Sequence, residues 1–215
     1  PEQVDICEGD FTEQELFSAL KNMQDGKSPG NDGLTKEFYE YFWEDIKVPF
    51  LKSISVAKSK KKLSVSQRQA VIKLIEKKNK DKRLIENWRP ISLLNIDYKI
   101  ISKLLAIRMK DVLPDLISRR KTAYVKERFI GEGGRLISDI IEVCDTFNFE
   151  GFLVSMDMEK AFDSLNHKFL ISVLKAFGFG IKFVYWLEIL LNSSDHCFLY
   201  SAYADDATFL LKDKK

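Results

Sequence analysis

The sequence predicts an α+β fold. Three observations predict it. Several stretches carry apolar residues at helical spacing behind capping signals. Two β-branched runs, residues 70–76 and 88–94, flank a polar turn and read as a hairpin. A short apolar run, residues 152–156, ends in Asp157, and a carboxylate doublet, Asp205 and Asp206, follows Tyr203 and Ala204 between apolar neighbours. These last two segments read as strands of a second sheet.

The elements follow in order. Thr12 and Glu15 form a capping box, Phe11 and Leu16 fit a hydrophobic staple, and Leu16, Leu20 and Met23 share a helical face. Residues 25–33 contain three glycines and a proline and read as a loop; their glycine spacing and the lack of a preceding strand exclude a nucleotide-binding P-loop. A second helix starts near Thr35 with Phe38, Phe42 and Ile46 on one face, is interrupted at Pro49, and is followed by a shorter one. The basic run 58–62 is a solvated turn. Residues 70–76 and 88–94 are strands around the turn 79–83. Pro90 cannot donate to a ladder, so its strand lies at an edge or begins there. Asp97 caps a helix with Ile100, Ile101, Leu104 and Leu105 inward, ending before Pro114. Residues 131–134 open another, with Leu136, Ile137, Ile140, Ile141 and Cys144 inward. Two more run from Asn166 to Gly178 and from Ile181 to Leu191.

Composition narrows the function classes. Net charge is only +2, yet residues 58–136 hold 22 Lys+Arg against 8 Asp+Glu, between acidic flanks. Such a middle fits either a polyanion partner or solvated helix faces. No apolar run reaches membrane-spanning length, and no signal-peptide pattern precedes Asp5. Cys7, Cys144 and Cys197 are odd in number and scattered, which suits neither a disulfide framework nor a zinc site and points to a reducing, intracellular compartment. His167 and His196 have no nucleophile close in sequence and receive no catalytic role. The chain begins with Pro1, which predicts excision from a longer reading frame.

A carboxylate ending a buried strand opens onto a cleft. Asp157, Asp205 and Asp206 converging there would suit two divalent cations in a phosphoryl-transfer site. An Asp-Asp pair alone is more often a surface turn than a site, and an apolar run ending in Asp is more often still a helix cap. The ordered set is far more specific: Lys27-Ser-Pro-Gly-Asn-Asp-Gly-Leu-Thr-Lys-Glu-Phe-Tyr39, Asn87-Trp-Arg-Pro-Ile-Ser-Leu-Leu94, Thr122-Ala-Tyr-Val-Lys-Glu-Arg-Phe-Ile130, Met156-Asp-Met-Glu-Lys-Ala-Phe-Asp163 and Ala202-Tyr-Ala-Asp-Asp206. In this set and order the chain resembles the reverse transcriptases of non-LTR (LINE-type) retrotransposons over nearly its whole length.

The resemblance implies helical fingers with a β-hairpin and an N-terminal extension over residues 1–150, then an incomplete ferredoxin-like palm over 151–215. It implies Mg²⁺-dependent deoxynucleotidyl transfer on an RNA template and a DNA primer, from deoxynucleoside triphosphates. Asp157, Asp205 and Asp206 would bind two Mg²⁺ ions, with the Met158 backbone beside the first. Phe162 would block a ribose 2′-hydroxyl, or serve as a core aromatic. Arg89 would stack over the incoming base and contact its triphosphate, a task suited to a planar guanidinium. Lys73 or Lys77 would reach phosphate. Lys126 and Arg128 would touch the template backbone, and Asp163 would support local structure.

The chain also departs from the family. Lys121 stands where Gln is usual and Glu127 where Gly is usual. Asp157 and Asp205 are 48 positions apart, about half the family's usual interval, with the apparent junction near residues 197–198. The Arg-Gln-Gly-Asp-Pro segment that belongs in that interval is missing, and the thumb is not in this chain. The expectation is therefore a family member that is inactive as it stands, with a non-catalytic RNA-binding remnant as the alternative.

Overall fold

The capping box forms as its sequence requires. Thr12 Oγ1 accepts from the Glu15 N–H at 3.2 Å, and the Glu15 carboxylate accepts from the Thr12 N–H at 3.1 Å. It opens α1, Glu13–Lys21. The computed structural model describes residues 7–156 and 165–192. After α1 come α2 (Lys36–Tyr41), α3 (Trp43–Lys60), α4 (Val65–Arg68), β1 (Ala70–Glu76), a 3₁₀ turn (Ile85–Asn87), β2 (Trp88–Leu94), α5 (Ile96–Leu116), α6 (Gly131–Phe147), α7 (His167–Ala176) and α8 (Ile181–Asn192). Helices with one antiparallel hairpin make the predicted α+β class, and the hairpin falls on the residues read as strands.

The core lies among α1, α3, α5 and α8. Leu16 and Leu20 from α1 meet Ile100, Ile101, Leu104 and Leu105 from α5, as their spacing predicts. Phe183, Trp186, Leu187 and Leu190 from α8 and Leu174 from α7 belong to the same apolar cluster.

One cation ties these elements together. Arg108 lies on the inward stripe of α5 and is buried. Its Nε and Nη2 donate to the two Glu15 carboxylate oxygens, each at 2.9 Å. Its remaining N–H groups go to the carbonyls of Cys7 at 3.1 Å, Gly9 at 2.7 Å and Asp10 at 3.2 Å. All five guanidinium donors therefore have acceptors. The Phe11 ring lies under the guanidinium, with its centroid 5.3 Å away, and stacks on Trp186 of α8 at 4.5 Å. Burial opposes ionisation of Glu15, but the hydrogen bonds from Thr12 and Arg108 outweigh it and hold its carboxyl below the usual range.

The same N-terminal segment caps α8. The Glu8 carboxylate accepts from the Lys182 and Phe183 N–H groups, both at 3.0 Å. It satisfies two donors that a helix start leaves unpaired and lies at the positive end of the helix dipole. A Cβ on Gly180 would collide with this carboxylate, so a side chain there would displace the Glu8 cap.

Several sequence expectations are corrected. The second helix breaks at Phe42, not Pro49, and Pro49 lies inside α3. Trp43, Phe50, Ile54 and Ala57 are all buried along α3, and their burial outweighs one lost backbone bond. Asn95, not Asp97, occupies the N-cap position of α5, which runs through Pro114 to Leu116. Leu136, Ile137, Ile140 and Ile141 of α6 are half-exposed rather than inward. Residues 152–156 form no strand, and Phe152 is fully exposed. The two observations are linked: an amphipathic helix needs an apolar layer to cover it, and the expected strand is not there to supply one.

Removing the Arg108 guanidinium leaves three carbonyls and a carboxylate without their donor. Arg108→Ala is expected to lower the unfolding free energy by about 3–5 kcal/mol in urea titration. Arg108→Lys recovers only part of it, because an ammonium has three donors where five are used.

Candidate functional site

The hairpin register decides which basic side chains act together. β1 pairs with β2 so that Lys73 is opposite Ile91 and Ile75 is opposite Arg89. Opposed residues share a face and alternate residues reverse it. Lys73 and Arg89 therefore share one face as diagonal neighbours, about 7–8 Å apart, and both are exposed. Lys77 lies one residue past β1. Its N–H donates to the Asn87 carbonyl and its ammonium to the Glu86 carbonyl, each at 2.8 Å. Lys77 thus helps close the hairpin, while Lys73 has no ion pair among the described residues. Trp88 donates from its indole to the Lys82 carbonyl at 2.8 Å, which secures the same turn. Pro90, opposite Leu74 in this two-stranded sheet, lies on an edge strand as its missing N–H demands.

The loop of residues 25–33 is seated at the base of this hairpin. Asn95 Nδ2 donates to the Ser66 carbonyl at 2.9 Å, and its Oδ1 accepts from the Asp32 N–H at 3.4 Å. Asn31 reaches Gln69, next to β1, at 3.3 Å. Lys36, buried at the start of α2, pairs with Asp25 and with Glu40, which fixes the other end of the loop. Gly30 touches the backbone between Leu94 and Asn95 so closely that a Cβ would lie 2.6 Å from the Leu94 carbonyl carbon. Gly30→Ala is expected to cost about 1–3 kcal/mol, measured as a lowered midpoint of thermal unfolding.

Asp97 stands beside this junction. Burial pushes its carboxyl up to about 6, the hydrogen bond from the Tyr98 N–H opposes the rise, and the charge of Asp32 adds to it. A folded-state value above the unfolded one means that the folded chain holds the proton more tightly. The resulting stabilisation is complete below the unfolded value of 3.8 and is lost as pH rises through about 6. Asp97→Asn is therefore expected to be more stable than the wild type at pH 7 by about 1–3 kcal/mol, with the difference vanishing near pH 4. Urea titrations at both pH values check this.

The 122–130 motif sits at the opposite end of α5, which at 21 residues is about 30 Å long. Arg128 Nη1 donates to the carbonyls of Ser118 at 2.6 Å and Lys121 at 2.8 Å; Nη2 donates to those of Pro114 and Ile117, each at 2.7 Å. The guanidinium thus satisfies carbonyls in the last turn of α5 and just beyond it. Lys126 pairs with Asp111 at 2.9 Å. Both residues named for template contact hold this turn in place.

Asp157, Met158, Phe162, Asp163, Asp205 and Asp206 lie outside the described residues. Among the described residues no group of three or more His, Cys, Asp or Glu side chains could hold a metal ion, and no helix is long and apolar enough to cross a membrane. Cys7 and Cys144 are free thiols. Sequence reading missed Arg108, Glu8 and Asn95. Arg108 had a usable signal, a lone cation in the apolar stripe of Ile101, Leu104, Leu105 and Val112; the partners of Glu8 and Asn95 are too distant for one.

Comparison with known proteins agrees with these motifs. Residues 75–200 match the family model described as reverse transcriptase (RNA-dependent DNA polymerase). The chain is also 40% identical, over 185 residues, to the transposon TX1 uncharacterized 149 kDa protein of Xenopus laevis. That match covers 86% of this chain and 14% of the relative, so the chain spans a small part of the protein it is similar to.

Proposed function

The chain belongs to the reverse transcriptase (RNA-dependent DNA polymerase) family, and from that premise we propose that it is the nucleotide- and template-holding part of an RNA-templated DNA polymerase, inactive in this form. The observation that carries the reading is the hairpin register, which sets Lys73 and Arg89 on one exposed face. Arg89 lies flat over the incoming base and reaches its triphosphate, and Lys73 supplies a second cation to the phosphates. The Lys77 ammonium is engaged at Glu86, so Lys73 is the phosphate ligand of the two. The similarity to a transposon protein agrees with the resemblance to non-LTR retrotransposon enzymes.

Asp157, Asp205 and Asp206, with the Met158 backbone, are the residues that would hold Mg²⁺. Two ions bound there would activate a primer 3′-hydroxyl and stabilise charge on the transferring phosphate. Phe162 would exclude a ribose 2′-hydroxyl. Metal ligands must be held to within a fraction of an ångström. The 48-position interval between Asp157 and Asp205, the exposed segment 152–156 and the uncovered stripe of α6 support inactivity of the chain by itself.

Primer extension on poly(rA)–oligo(dT) with Mg²⁺ is expected to give no incorporation. Incorporation that disappears in Asp157→Asn overturns the inactive reading. The basic middle of the chain favours retained RNA binding. Fluorescence anisotropy should find binding that weakens linearly in log salt and is unaffected by Asp205→Ala; no binding at low salt refutes it.

A further inference from the structure

The hairpin leaves one edge of its sheet open, and the register shows which backbone groups lie there. Lys77, one residue past β1, donates its N–H to the Asn87 carbonyl at 2.8 Å, in step with the register that sets Glu76 opposite Trp88. Antiparallel pairs alternate between those that exchange backbone hydrogen bonds and those whose N–H and C=O groups point outward. Ile75–Arg89, Lys73–Ile91 and Val71–Leu93 are therefore the pairs that hold the hairpin together. Ala70, Ile72, Leu74 and Glu76 turn both backbone groups to the far side of β1. Trp88, Pro90, Ser92 and Leu94 do the same on β2.

The two edges differ. On β2, Pro90 has no N–H to offer, and the Trp88 N–H is already bonded to the Ile85 carbonyl. A strand added there would lose two donors. β1 has no proline, glycine or bulge, and among the described residues no third strand covers it. Two strands alone are marginal. Val71, Ile72, Leu74 and Ile75 are between 42% and 45% exposed, so packing does not make up the deficit. The fold thus calls for an extended segment beside β1.

A second copy of the chain supplies one with matching demands. Its β1, run in the opposite direction, presents a donor for each open acceptor. Such pairing also ends itself, because both outer edges of the new sheet are then β2 with its Pro90. Charge selects the register. Centring on Lys73 would oppose two ammonium groups. Centring on Leu74 sets Lys73 against Ile75 of the second copy and Glu76 against Ile72 of the second copy, with no like charges directly opposed.

We propose that two copies of this chain pair through the outer edge of β1, about a twofold axis at Leu74, to form one four-stranded antiparallel sheet in the order β2-β1-β1-β2. The inference goes beyond the nucleotide-holding role and does not depend on it, since the face of Lys73 and Arg89 stays uncovered.

Sedimentation velocity of the nuclease-treated full chain tests this. The contact is small, so a reversible dimer with a Kd of about 1–100 μM is expected. Lysines of both copies gather on one face, so added salt should strengthen the dimer; weakening by salt would indicate a nucleic-acid bridge and overturn the proposal. Leu74→Pro removes an outward N–H but no hairpin bond, and should be monomeric with an unchanged circular dichroism spectrum. Leu74→Lys and Leu74→Glu should each weaken association by about three- to tenfold, and an equimolar mixture of the two should recover it. If Leu74→Pro does not fold, this charge pair on an exposed side chain decides alone. Dimerisation that survives Leu74→Pro, or a mixture no tighter than its components, overturns the proposal and puts the contact elsewhere. A wild-type chain still monomeric at about 500 μM leaves the edge to a strand of another protein and also overturns it.

Discussion

A buried guanidinium organises this protein. Arg108 belongs to α5, but its partners come from α1 and from the segment before it, and the ring beneath it stacks on α8. Taking one cation out of water is costly unless every donor finds an acceptor. Here that requirement brings residues 7–15 against α5 and sets the position of Glu8 at α8. Apolar packing supplies the bulk of the cohesion, but it is tolerant of sliding; a five-donor fork is not. The interaction therefore contributes register as much as energy.

Local chemistry was legible in the sequence. The Thr12–Glu15 box, the Thr35 and Asn166 caps and the hairpin all formed where their residues indicated, because each depends on partners within a few positions. Errors arose where distant partners decide. Pro49 is a breaker by local rules, but the buried flank of α3 overrides it. Asp97 is a good cap residue, but the N-cap position falls at Asn95, whose side chain makes no capping bond and instead bridges Ser66 and the loop of Asp32. The stripe of α6 is amphipathic and reads as inward, yet inwardness needs a second layer, which periodicity in one helix cannot report.

The candidate site was legible in its motifs more than in their roles. The residue types at 27–39, 87–94 and 122–130 identified the family; Lys73 and Lys77 differ in that the Lys77 ammonium is engaged at the Glu86 carbonyl. Arg128 is the instructive case. A basic residue in this motif reads as a phosphate ligand, whereas its four carbonyl contacts show that its charge finishes a helix.

The Glu8 cap on α8 also governs the order in which the chain can fold. Its two hydrogen bonds span 174 and 175 positions of sequence, and the Arg108–Glu15 pair spans 93. Closing such intervals costs chain entropy before any contact rewards it. During synthesis α1 and α5 can join while the remainder is still unmade, whereas α8 must wait for its own emergence before it meets a cap already in place. Among the described residues, α8 is thus capped by a carboxylate made long before it.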